Sequence, residues 1–344
     1  MSVSAEGPLP VLDFSAFRGE DSQARSTLLT NIKEACIDKG FFQLTNHGIT
    51  KALEEQMMDA SRQFFSLPIS EKLKCDKSLN SYNRGYETIG AQILEPGSAP
   101  ETKEAIYFGE DLPLDNPRVM RRSYNCGPNL YPEGLGQPFK NTVTEYYDSA
   151  KAVAQEVMRA LALGLGLEED WFDGLHDIGS ELLLALGAHR DFGCITLLLQ
   201  DDAGGLQVQD EVSGEWMDVT PVPGAIVVNL GNLMMRWTNH HYTSNMHRVM
   251  NYSGKDRYSI VYFFNGNPEH TLSIVPGCEE RRDTKFKKFG PPVKAEKYDP
   301  ILVRDFVSEQ FVASYSRASI PEPASAKEIP ALESSAAVPI LGAA

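Results

Sequence analysis

Several features that would settle a class at once are scarce in this chain. Five cysteines stand in 344 residues (Cys36, Cys75, Cys126, Cys194 and Cys278), and no two form a Cys-x-x-Cys pair. An odd, scattered set gives neither a secreted disulfide framework nor the paired thiols of a structural zinc site. It predicts reduced thiols in a cytoplasmic protein. No apolar stretch approaches the ~20 residues needed to span a bilayer. The start, MSVSAEGPLPVLDF, has no basic residue ahead of an apolar run, so no signal peptide is visible. Positive charge is short as well: 32 Lys and Arg face 47 Asp and Glu, a net charge of -15. That balance repels nucleic acid and anionic membrane, and neither is expected as a partner. One basic stretch, Arg281 to Lys288, reads as a solvated loop. His-Glu-x-x-His, Gly-x-Ser-x-Gly and a phosphate-cradling Gly-rich loop with Lys are all missing, which removes the common hydrolase readings.

What is present divides into two textures. Leu28, Leu29, Ile32, Ala35 and Cys36 recur at helical spacing, with Gly40 placed to stop the helix. Phe41–Leu44 reads as a short strand. Leu53, Met57, Ala60 and Phe64 mark a second amphipathic helix, closed by Leu67-Pro68. Residues 80–129 are rich in Gly, Pro, Asn and Tyr and read as irregular connections. The strongest helix is expected over 139–163, before stop signals at Gly164 and Gly166. After Ser180 the chain turns to short apolar runs: Cys194–Leu199, Leu206–Gln209, Trp216–Val219, Ala225–Leu230 and Tyr258–Asn265. Val212-Ser213-Gly214 is placed as a hairpin turn between the second and third of them. Close-spaced short strands after a helical half predict an α+β protein with a jelly-roll or barrel core under a helical cover. A last helix is expected over 303–315, and a disordered tail rich in Ala, Pro and Ser after Ser319.

The chemistry is sought among seven histidines. His189 and Asp191 are two apart, so on a strand both side chains leave one face. His247 lies far enough downstream for intervening strands to bring a second imidazole to the same point. Two imidazoles and one carboxylate on one side of a metal leave its other positions open, the arrangement that suits Fe(II) binding O2 and a co-substrate together. By itself His-x-Asp describes a hydrogen-bonded pair equally well. Ten residues after His247, Arg257 and Ser259 share a strand face. A guanidinium fork beside a hydroxyl suits a carboxylate, although an ordinary surface ion pair would explain Arg257 alone. Together these residues describe a place for a 2-oxo dicarboxylic acid.

The stretches HRDFGCITLLLQDDAGGLQVQ, GAIVVNLGNLMMRWTNHHYTSNMHRVMN and RYSIVYFFNGNPE, with LPVLDFSAF and GFFQLTNHGI near the start, resemble the isopenicillin-N-synthase-type branch of the 2-oxoglutarate/Fe(II) dioxygenases. The look is closest to fungal members of the thymine 7-hydroxylase type and to secondary-metabolism oxygenases. The resemblance covers roughly residues 8 to 315. It implies a double-stranded β-helix (jelly roll) core with a helical N-terminal cover and a C-terminal helix. The regions would be a helical part over 8–175, the oxygenase core over 176–290, a helical segment over 291–318 and a tail over 319–344. It implies Fe(II) on His189, Asp191 and His247, 2-oxoglutarate as co-substrate on Arg257 and Ser259, and O2-dependent hydroxylation or desaturation of a small organic molecule, giving succinate and CO2.

Two features depart from that pattern. About one strand and loop is missing between Ser180 and His189, where the family lines its co-substrate pocket. Arg190 stands where small residues are usual, and strand alternation turns it away from the metal unless local irregularity aims it at the substrate. Asn83, Arg84 and Tyr86 are substrate-side candidates beside plain loop packing, and Phe192 and Leu197 are candidates to line the pocket. His47 is expected to be structural, and His240 and His241 to be exposed turn residues. The shortened segment keeps two alternatives open: an Fe(II) oxidase independent of 2-oxoglutarate, and a catalytically impaired relative.

Overall fold

Residues 8–91, 103–175, 180–183, 191–280 and 298–319 are described by the computed structural model. His176, His189, Arg190, the basic stretch 281–288 and the tail after Ser319 lie outside them.

The helical cover follows its local signals. The helix Ser22–Asp38 starts at Asp21, whose side chain accepts from the Gln23 and Ala24 N–H groups. That satisfies donors the first turn would otherwise leave unpaired. The chain leaves this helix through Gly40 at φ +65°, and a Cβ there would fall 2.1 Å from the Thr243 carbonyl oxygen. Only glycine fits such a position. The helix Lys51–Phe65 begins under Thr50, which accepts from Leu53 N–H. The helix Gly136–Leu165 ends at Gly166, which is left-handed. Their apolar stripes meet: Ile32, Phe64, Ala150, Val157 and Leu161 are all fully buried in one cluster. Gly164, expected as a stop, instead lies inside the last of these helices. The Tyr242 hydroxyl sits 2.5 Å from where its Cβ would be, so glycine is there to admit a side chain.

Eleven strands are needed to place the site: β1 (Val11–Asp13), β2 (Phe41–Thr45), β3 (Gly85–Glu87), β4 (Ala105–Tyr107), β5 (Glu181–Leu183), β6 (Ile195–Gln200), β7 (Leu206–Gln209), β8 (Trp216–Asp218), β9 (Ala225–Leu230), β10 (His247–Val249) and β11 (Ser259–Phe264). The larger sheet runs β1-β2-β9-β6-β11-β5 and the smaller one β10-β7-β8. In the larger sheet one transverse row reads Phe41, Asn229, Thr196, Phe263 and Glu181, each opposite the next. Residues directly opposite in antiparallel strands project to the same face, so these five side chains share one side. The smaller sheet contains the expected hairpin, whose turn is fixed by Asp210 accepting from Val212 and Ser213 N–H. Phe41, Leu198, Val227 and Val261 of the larger sheet pack with Leu206 and Val208 of the smaller in a second core cluster. Burying each such side chain stabilises the fold by roughly 1.5–3 kcal/mol. Two sheets closed on this cluster, with helices stacked outside, make the α+β jelly roll that was expected.

Two elements differ in extent. The last helix runs Val303–Ser319, beyond the expected Tyr315. The stretch read as irregular contains the antiparallel pair β3–β4; strands of three residues are too short to show a period. Among the described residues no helix is long and apolar enough to cross a membrane.

Candidate active site

Asp191 opens the loop before β6 and His247 opens β10, so the two sheets bring them together. Both are buried, and His247 Nε2 lies 3.7 Å from Asp191 Oδ1. That is too long for a hydrogen bond. Two donors that each sit about 2.1 Å from one shared ion stand about 3.0–3.4 Å apart, a few tenths of an ångström closer than this pair. The other carboxylate oxygen, Oδ2, is held from two strands: Thr196 Oγ1 donates at 2.5 Å and Asn229 Nδ2 at 2.7 Å. His247 Nδ1 stands 3.4 Å from the Asn245 carbonyl oxygen, and the Phe41 ring meets the imidazole edge-on. A carbonyl at Nδ1 favours the tautomer that keeps the Nε2 lone pair for a metal. The donor set therefore fits a divalent transition metal on an imidazole and a carboxylate. Among the described residues no three His, Cys, Asp or Glu converge; the third expected ligand, His189, lies outside them.

Further along the same face, Gln200 and Ser259 oppose each other in β6 and β11. Gln200 is four residues from Thr196, about 13 Å along the strand. Arg257 donates through Nε to the Gly204 carbonyl at 2.7 Å, through one terminal nitrogen to Gln200 Oε1 at 3.0 Å, and through the other to Ser259 Oγ. These contacts use three of the five N–H donors of a guanidinium. Burial holds the Arg257 pKa below its ordinary value, so the desolvated charge favours an anion beside it.

The first-half candidates separate. Arg84 and Glu181 are almost fully buried, with side chains 1% exposed, and Arg84 faces Glu181 Oε1 at 3.3 Å. Asn125 donates to the same oxygen at 2.8 Å, and Asn83 donates to it as well. Tyr86 does not join them: its hydroxyl donates to Glu104 at 2.7 Å and its ring packs on Phe64 in the helical cover. Leu197 is likewise turned to the helices, being one residue off Thr196 and Leu198 on a strand of period two. Phe192 is half-buried in the loop beside Asp191, its carbonyl accepting from Leu233 N–H. His47 is structural as expected, buried with Nε2 3.1 Å from Glu54. His240 is not an exposed turn residue. The chain around Tyr298 covers it, and its Nε2 lies 2.7 Å from that hydroxyl. His241 is half-buried, its Nε2 2.9 Å from the Glu280 carbonyl oxygen.

The sequence reading missed Thr196, Asn229 and Glu181. Each is a polar residue in or beside a hydrophobic strand (CITLLLQ, AIVVNL, SELLL), which was the available signal.

Two family descriptions match this chain. The N-terminal region of "non-haem dioxygenase in morphine synthesis" matches residues 9–134, and the "2OG-Fe(II) oxygenase superfamily" matches residues 172–266. The "2-oxoglutarate-Fe(II) type oxidoreductase hxnY" of Emericella nidulans is 44% identical, covering 96% of this chain and 98% of that protein. Its alignment runs over 353 positions, more than the 344 residues present here, so gaps open in this chain. The "2-oxoglutarate-dependent dioxygenase citB" of Monascus ruber is 38% identical over 79% of this chain and 89% of that one. Among solved structures, a full-length Neurospora crassa protein in complex with alpha-KG and thymine superposes with a TM-score of 0.74 at 28% identity, covering 91% of this chain and 99% of that one.

Proposed function

This chain belongs to the 2OG-Fe(II) oxygenase superfamily, and from that premise we propose that His189, Asp191 and His247 hold the iron and that Arg257 and Ser259 receive the far carboxylate of 2-oxoglutarate. The activity is that of an oxidoreductase, a dioxygenase using Fe(II) and 2-oxoglutarate on small molecules. The observation that carries the site assignment is the convergence of Asp191 and His247 from different sheets, with Asp191 oriented by Thr196 and Asn229.

Iron held there would supply the oxidising power for a reaction that takes a C–H substrate, O2 and 2-oxoglutarate to oxidised product, succinate and CO2. The protein's share is geometric. Thr196 and Asn229 fix the plane of the Asp191 carboxylate, and Asn245 orients His247. Arg257 offers its remaining N–H donors, and Ser259 its O–H, to a carboxylate, which sets the direction in which a 2-oxo diacid lies along β6. The apolar side chains of Leu198, Val227 and Val261 keep water from the space between. Phe192, in the Asp191 loop, and Arg190, next to Asp191 in sequence, are the residues proposed for the substrate side of the iron. The setting we propose is the cytoplasm: the five cysteines are buried thiols, and burial pushes those of Cys75 and Cys278 up to about 11.

A second reading, a catalytically impaired oxygenase, is favoured by one observation. Seven residues alone, 184–190, join β5 to Asp191. Anaerobic titration of the apo-protein with Fe(II) and 2-oxoglutarate decides between them. A visible charge-transfer band, lost in His247→Ala and weakened in Arg257→Lys, is expected from the first reading. Lys cannot reproduce the guanidinium fork, so about tenfold more 2-oxoglutarate should be needed to form the band. Bound iron without a band would support impairment, and no bound iron would sink the assignment of the triad.

A further inference from the structure

The Arg84–Glu181 pair is more expensive than packing requires. Two charged side chains, each 1% exposed, are buried together, and an apolar pair of similar volume often serves a fold as well or better. The guanidinium has been given a dedicated seat: a Cβ on Gly109 would fall 1.9 Å from it. Asn83, Arg84 and Asn125 all donate to one oxygen, Glu181 Oε1. The described hydrogen bonds to Glu181 all end on Oε1, and Arg84 Nε is buried without a partner. Burial pushes the Glu181 pKa up and Arg84 pulls it down, which is the balance of a carboxylate held in a dry place by its counter-ion.

The position of this carboxylate gives it meaning. Glu181 stands in the transverse row that contains Thr196 and Asn229, the two residues holding Asp191. It therefore projects to the same face, two strands from Thr196, on the order of 10 Å away. Phe263 of β11 stands between them on that face.

We propose that Glu181 is a specificity-determining residue of the oxygenase site, its Oε2 accepting a hydrogen bond from an N–H or O–H group on the substrate. Arg84, Asn83 and Asn125 are positioning residues that spend Oε1 and leave Oε2 for the ligand. The substrate class this selects is a small planar molecule with a ring N–H or phenolic O–H on the side away from the iron. Methylation of that donor leaves a buried carboxylate oxygen unpaired, which is how such sites discriminate. The inference rests on the oxygenase reading above.

Equilibrium dialysis of three probe pairs against anaerobic Fe(II)- and 2-oxoglutarate-loaded protein tests it: uracil with 1,3-dimethyluracil, 2-pyridone with its N-methyl form, and phenol with anisole. The wild type should retain at least one donor about ten- to a hundredfold better than its methylated partner. Glu181→Gln, which preserves shape, should lower that ratio about tenfold. The double variant Arg84→Met/Glu181→Leu, which replaces the pair by apolar groups, should abolish it. Retention of both members of every pair alike, or of neither, on the wild type would overturn the proposal. So would a ratio unchanged in both variants, since a merely structural cluster would alter stability and not donor preference. Bound iron and the charge-transfer band, recorded on each protein, keep the two readings apart: no bound iron in the wild type would strike the metal assignment, and the dialysis ratios would still judge Glu181.

Discussion

The assignment of Asp191 as a ligand makes a quantitative demand on Asn229, which the chemistry does not touch. Asn229 lies in β9 and donates to Asp191 Oδ2 at 2.7 Å, in a place 3% exposed. Replacing it by Leu keeps the volume and removes the donor. A hydrogen bond to a charged group is worth about 1.5–3 kcal/mol, and about 1.4 kcal/mol is tenfold in affinity. The carboxylate freed on that side can still lean on Thr196, at 2.5 Å, so the loss should fall in the range typical of groups supporting a metal ligand, ten- to a hundredfold. Asn229→Leu should therefore bind Fe(II) about ten- to a hundredfold more weakly, and Thr196→Val similarly, whereas Thr196→Ser should stay near the wild type. Anaerobic competition against a chromophoric chelator measures this, with circular dichroism to confirm that each variant is folded. Folded Asn229→Leu with Fe(II) affinity within twofold of wild type would refute the claim that Asp191 is held for a metal.

Two further expectations follow from packing and burial. Gly164→Ala forces the Tyr242 hydroxyl from its bond to the Leu161 carbonyl, which should destabilise the fold by about 1–3 kcal/mol, read as a lower denaturation midpoint and relieved in part by Tyr242→Phe. Glu181 has a folded-state pKa above its ordinary value, so the native state holds its proton longer than the unfolded state does and this group's contribution declines as pH rises through that window. The stability of Glu181→Gln relative to wild type should accordingly climb from about pH 4.5 upward and then level off; a flat difference would show that the buried pair carries no such shift.

The fold was legible where one signal sufficed. The stripe Leu28, Ile32, Ala35, Cys36 with Gly40 behind it fixes both the body and the end of a helix, because side-chain period and left-handed backbone agree. Gly164 was misread because its reason is Tyr242, nearly eighty residues away, and sequence carries no sign of a distant hydroxyl. The same limit separates the parts of the site. Asp191 and His247 were legible as candidates because His-x-Asp with a distant His is a chemically pointed pattern. Thr196 and Asn229 serve the same carboxylate, yet they become neighbours only through the register of β6 and β9. Tyr86 and Leu197, offered as candidates beside plain packing, are turned to the helical cover; Leu197 is one residue out of phase with Thr196 and Leu198, and a period of two reverses the meaning of a shift of one.

A buried polar residue in a strand thus needs a second test before it is read as functional, namely whether its hydrogen-bonding capacity is used up by its neighbours. Gln207 fails that test. It is buried in β7, but it donates to Asp218 and accepts from Arg248 along its own sheet, so the ladder accounts for it. Arg257 and Glu181 pass. After Gly204, Gln200 and Ser259 the guanidinium keeps two N–H donors among the described residues, and the described bonds to Glu181 all end on one of its oxygens. Both lie on the side of the larger sheet that holds Asp191: Arg257 through Ser259 and Gln200, Glu181 through Phe263 and Thr196. A fold that only needed stability would gain from filling or removing such capacity, since an unmet polar group in a dry interior costs about 1–3 kcal/mol. Its retention at two places on one face, a donor end and an acceptor end about a strand's length apart, is the pattern of a site that completes its hydrogen bonds with molecules it binds.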